Sequence, residues 1–121
     1  MSSNELRPVR VLFVCQFNRR RSATAERVFT KDPGLDVRSA GTSDDALVQV
    51  NARMLDWADI VFIMDAGQQR WLDQRFCSHP ALTRIVNLDI ADDYTFLDPQ
   101  LVALLQERTT PHIEKARSAL L

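Results

Sequence analysis

The residues best equipped for chemistry stand together in one short segment, Cys15-Gln16-Phe17-Asn18-Arg19-Arg20-Arg21-Ser22: a cysteine, five residues, an arginine and a hydroxyl. A loop of this kind, closed by a helix N-terminus, makes an oxyanion cradle with a nucleophile at its base. Successive amide N–H groups converge on phosphate oxygens, and the helix dipole adds positive potential. Arg21 can fork onto two of those oxygens and follow them as charge redistributes during transfer. The same field favours the anionic sulfur that attacks. Ser22 is placed to donate a hydrogen bond to that sulfur, and Asn18 tolerates the left-handed backbone that a tight loop requires.

Such a loop works only if rigid elements hold it. Val9–Cys15 (VRVLFVC) is a continuous apolar run bounded by Pro8 and polar residues, which predicts a buried strand. Residues 22–31 follow with Ala25, Val28 and Phe29 at helical spacing, until Pro33 and Gly34 end the helix. Leu35–Ser39 predicts a second strand, Asn51 caps a short helix carrying Met54 and Trp57, and Asp59–Met64 predicts a central strand. Asp65 with Gln68 reads as a capping box for a helix to about Phe76. Arg84–Leu88 predicts a fourth strand, and Asp98-Pro99 opens a last helix in which Pro111 predicts a separate helix or a kink. The alternation implies a single α/β domain over residues 1–121: a four-stranded parallel sheet with right-handed crossovers and helices on both faces. Ligands bind at the carboxyl ends of strands in such sheets, and the first strand ends at Cys15.

Composition narrows the function classes. A chain of 121 residues has 15 Lys+Arg against 16 Asp+Glu, a net charge of −1, which argues against a whole-molecule field for nucleic acid or anionic membrane. No apolar run nears membrane-span length and the start lacks an apolar signal core, so a cytoplasmic protein is expected. Cys15 and Cys77 are too few for a disulfide framework or a zinc site. His79 and His112 have no ligand or triad spacing and read as surface histidines; Trp57 and Trp71 read as core or rim packing. Among Asp89, Asp92, Asp93 and Asp98, one acid, one cap and solvated neighbours are expected rather than a metal site. The arginine run reads as one anion site or a solvated surface.

VLFVCQFNRRRSATAE resembles the signature of the low-molecular-weight protein tyrosine phosphatases, V-C-x-G-N-x-C-R-S-P-x-A-E. Arg38-Ser39-Ala40-Gly41-Thr42 is similar to that family's S-A-G-T segment, Ala58–Asp65 to its A-D-L-I-x-x-M-D strand, and Asp89–Tyr94 to its D-I-P-D-P-Y loop. The resemblance implies that Cys15 attacks phosphorus to form a cysteinyl-phosphate while Arg21 and the amides of residues 16–22 hold the phosphoryl oxygens. It implies that Asp92 protonates the leaving group and then acts as base, that Asn18, Ser22 and Ser39 support the loop, and that Phe17 and Tyr94 wall the substrate slot. No metal or organic cofactor is implied; the substrate is a phosphotyrosine protein or a small aryl phosphate.

Several positions depart from that pattern. Phe17 replaces a glycine and is expected to alter the loop or narrow its mouth. Arg20 replaces a second cysteine that protects the nucleophile by a disulfide, leaving Cys77 as the other candidate. Ala23 replaces a proline. Asp92-Asp93-Tyr94 replaces D-P-Y, so Asp93 stands as the alternative acid. The short interval between Gly41 and Asp59 predicts a shallower, more open cleft. Two other functions share this loop: a thiol-coupled arsenate reductase, and a phosphate-binding module without turnover.

Overall fold

The strands β1 (Val9–Cys15), β2 (Leu35–Gly41), β3 (Ile60–Ile63) and β4 (Ile85–Asn87) form one parallel sheet in the order β2-β1-β3-β4. These elements come from a computed structural model that describes residues 7–120. Helices α1 (Arg21–Phe29), α2 (Ala52–Trp57) and α3 (Ala66–Arg75) link them, and α4 (Pro99–Ala119) follows β4. From β1 the chain winds one way to β2, then crosses back to β3 and β4. That reversal opens a crevice at the carboxyl ends of β1 and β3.

The reversal also covers both faces of the sheet. Val11, Phe13, Phe62 and Met64 pack with Ala25 of α1 and Leu101, Leu105 and Ile113 of α4. Leu12, Val14, Val61 and Ile63 pack on the opposite face with Leu55 of α2 and Leu72 of α3. Central strands buried on both sides read as unbroken apolar runs, as β1 and β3 do. Phe13 stacks between Phe29 and Phe62 at 5.5 and 5.3 Å, fixing α1 over the sheet.

Local signals place most boundaries. The Asn51 side chain accepts from the Met54 amide, Asp65 and Gln68 form a reciprocal capping box, and Asp98 accepts from the Gln100 amide ahead of Pro99. The fourth strand is shorter than expected, because Arg84 belongs to a 3-10 turn over Pro80–Arg84. A separate helix from Pro111 is also corrected: α4 runs through it. Leu101, Leu105, Thr109 and Ile113 form one buried stripe on both sides of the proline. Pro111 lies on the exposed face, where water can satisfy the carbonyl it leaves unbonded. Among the described residues no helix is long and apolar enough to cross a membrane.

Candidate active site

The loop of residues 16–20 leaves β1 at Cys15 and enters α1 at Arg21. Its carbonyls are turned outward. Thr42 N–H donates to Cys15 O at 3.0 Å, Ser43 N–H to Gln16 O at 2.9 Å, and Leu47 N–H to Phe17 O at 3.2 Å. A trans peptide points its N–H opposite its C=O, so the amides that follow face the inner side of the loop. The Asn18 amide does so, donating to Cys15 Sγ at 3.2 Å. The close approach of this segment depends on Gly41: a Cβ there would lie 2.6 Å from Gln16 O and 3.0 Å from Asn18 N.

Asn18, at φ 58°, supplies the left-handed residue of the turn. Phe17 has no positive φ, so the glycine of the family pattern is dispensable here; the ring is 38% exposed at the cavity rim. The expected distortion of the loop at Phe17 is therefore not imposed by its backbone. Inside, Asn18 Nδ2 donates to Ser22 Oγ and Ser39 Oγ, both at 2.9 Å. Ser39 Oγ in turn donates to Glu26 of α1. Ser22 Oγ already accepts from Asn18 and lies 2.9 Å from Cys15 Sγ, which directs its proton to the sulfur or to the Ala40 carbonyl at 3.3 Å. The β1–β2 register, with Cys15 opposite Gly41 and Phe13 opposite Ser39, brings these groups together. Glu26 was missed as a support residue; it ends the ATAE tail of the loop segment.

Arg21 is 2% exposed and held from two sides. Its Nη1 donates to Asp65 Oδ2 and to Ile90 O, both at 2.8 Å. Its Nε is buried without a hydrogen-bond partner, 3.6 Å from Asp92 Oδ1. Burial opposes ionisation of Asp65. The Arg21 hydrogen bond, the Gly67 amide and the Arg21 charge outweigh it and hold the carboxyl below the usual carboxylate range. Asp65, read in the sequence only as a helix cap, therefore also anchors the arginine.

Cys15, Phe17, Arg19, Arg20, Arg21 and Asp92 line one cavity of about 130 Å³. Asp92 is on that lining and Asp93 is not. Tyr94, expected to wall the slot, is not on it either. It packs against the apolar core and lines a separate groove with Gln100, Ala103, Leu104 and Glu107. No residue from the interval Gly41–Asp59 reaches the cavity wall; residues 42–47 brace the loop from behind instead. Arg108 Nη1 ties down the base of the Asp92 loop through Leu88 O and Asp89 O at 2.9 and 2.6 Å. Thr24 Oγ1 accepts from Leu97 N–H at its far end, 3.0 Å away.

Cys77 is exposed after α3, which returns the chain from the carboxyl end of β3 to the start of β4. The ten residues of α3 span about 15 Å and carry it towards the end of the sheet away from Cys15, so it is no disulfide partner for that residue. His79 is not a free surface histidine. Its Nδ1 accepts from Ala81 N–H at 3.0 Å, which makes Nε2 the protonated nitrogen that donates to Asp56 at 2.7 Å. Trp57 and Trp71 are rim residues, stacked under Arg38 and Arg75 at 4.2 and 5.0 Å. Among the described residues no three His, Cys, Asp or Glu side chains gather as a metal site.

No family model and no curated protein sequence matches the chain. Solved structures do. The YwlE arginine phosphatase from Geobacillus stearothermophilus is 25% identical over 93% of each chain, with a TM-score of 0.65. The tyrosine phosphatase Wzb from Escherichia coli K30, in complex with phosphate, is 17% identical over 88% of this chain and 96% of its own, TM-score 0.70. A low-molecular-weight phosphotyrosine phosphatase from Vibrio cholerae is 19% identical over 93% of this chain and 99% of its own, TM-score 0.65. Sheet order, the loop after the first strand and these likenesses agree: the chain has the fold of the low-molecular-weight protein tyrosine phosphatases.

Proposed function

We propose that the protein hydrolyses phosphate monoesters, with phosphotyrosine or other aryl phosphates as substrates, through a cysteinyl-phosphate. The observation that carries this reading is the meeting of Cys15, the unpartnered buried Nε of Arg21, and Asp92 in one cavity. A phosphoryl group seated there has the sulfur below it, amide donors and Arg21 around its equatorial oxygens, and a carboxyl group towards solvent.

In the first step the Cys15 sulfur forms a bond to phosphorus as the bond to the leaving oxygen breaks, and Asp92 delivers its proton to that oxygen. In the second, water attacks phosphorus, Asp92 takes a proton from it, and the sulfur departs to leave orthophosphate. Arg21 and the amides hold the three equatorial oxygens, and the charge spread over them, through both transition states. Hydrogen bonds from Ser22 and the Asn18 amide stabilise the sulfur as it takes up charge again. Arsenate reduction by an internal thiol relay is disfavoured because Cys77 lies at the far end of the sheet.

The test is hydrolysis of para-nitrophenyl phosphate by purified protein with EDTA present, across pH 5 to 8, beside Cys15→Ser. Turnover in EDTA that the substitution abolishes is the expected result. No turnover by folded protein moves the reading to an oxyanion-binding module.

A further inference from the structure

The phosphoryl group does not need all the positive charge at this cavity. Arg21 and the loop amides surround its oxygens, yet Arg19 and Arg20 also line the wall. Both are exposed, and among the described residues neither is paired with a carboxylate; Arg19 makes only a 3.5 Å contact to the Asp45 carbonyl. Other arginines of the chain do find acids, as Arg7 does with Asp59 and Arg117 with Asp32. Among the described residues the only carboxylate on the cavity wall is Asp92. The rim is apolar at Phe17, and Leu47, whose amide bonds Phe17 O, is 61% exposed beside it.

Resting on the phosphatase reading, we propose that Arg19 and Arg20 select the substrate, and that the preferred one is a phosphotyrosyl peptide with carboxylates next to the phosphorylated residue. The aryl ring lies against Phe17, and the flanking carboxylates meet the two free guanidinium groups, which are suited to them as planar donors. The same rim repels N-phosphorylated arginine, which keeps positive charge on the guanidinium beside phosphorus. This sets the chain apart from its 25%-identical arginine phosphatase neighbour.

The experiment compares kcat/KM for a phosphotyrosyl peptide flanked by glutamates, the same peptide flanked by alanines, and an N-phosphoarginine peptide, with para-nitrophenyl phosphate as the baseline. Two exposed charge contacts give an expected preference for the acidic peptide of about fivefold at about 50 mM salt, shrinking towards unity at about 500 mM. Combined Arg19→Gln and Arg20→Gln substitutions should collapse the acidic-to-alanine ratio, which is the readout whatever the absolute rate. Equal rates for the two tyrosyl peptides, a ratio unmoved by the substitutions, or faster turnover of phosphoarginine overturns the inference while the baseline substrate is still hydrolysed. Loss of the baseline reaction itself overturns the phosphatase reading instead.

Discussion

Gly41→Ala tests whether the loop geometry depends on the strand beside it. The added Cβ would stand 2.6 Å from Gln16 O, 2.7 Å from Ala46 Cβ and 3.0 Å from Asn18 N. Two of these neighbours are loop backbone, so no side-chain rotation relieves the contact. Restoring an ordinary separation moves the loop by about half an ångström or more, and overpacking of this kind costs about 1–3 kcal/mol of stability. Misplacing reacting groups by about 1 Å costs on the order of a hundredfold in rate, so a tenfold or greater fall in kcat/KM for para-nitrophenyl phosphate is expected. Gly34→Ala is the control: the atoms nearest its Cβ would be side-chain atoms of Arg117 and Asp32, at 3.0 Å or beyond. Steady-state kinetics and urea unfolding of both variants decide the matter. A Gly41→Ala protein as active and as stable as Gly34→Ala refutes the idea that residue 41 sets the loop.

Asp65→Asn keeps an equally good helix cap but removes the charge facing Arg21, and its partial exposure limits the stability loss at pH 7 to about 1 kcal/mol. Because the folded Asp65 carboxyl titrates below its unfolded value, its contribution is present above about pH 4 and is lost as pH falls through the folded value. Urea midpoints of wild type and Asp65→Asn should therefore converge on acidification, and a constant gap down to pH 2 would count against the ion pair. Asp92→Ala should slow esters with poor leaving groups most, with Asp93→Ala near wild type; the reverse order in a leaving-group series would reassign the acid. Pro111→Ala restores an amide donor inside α4 without disturbing its buried stripe. It should raise Tm by several degrees, equivalent to about 1–2 kcal/mol once the entropy proline removes from the unfolded chain is allowed for, and a lowered Tm would contradict the solvent-face account.

What the sequence determined by itself is what a few neighbouring residues encode. The uninterrupted VRVLFVC run requires a strand buried on both faces, Asn51, Asp65 and Asp98 cap the helices that follow them, and the Cys15–Ser22 spacing places a sulfur at the mouth of a helix. Tertiary structure alone decided which distant groups close on that loop. Arg21 meets Asp65 and the Ile90 carbonyl across 44 and 69 residues, Glu26 reaches Asn18 only through Ser39 of the neighbouring strand, and Asp92 rather than Asp93 turns into the cavity. It also withdrew Tyr94 from the slot and carried α4 through Pro111. Capping and apolar periodicity act over a turn or two of chain, whereas these pairings depend on strand register and on how the crossovers return. Those are fixed only when the whole core packs.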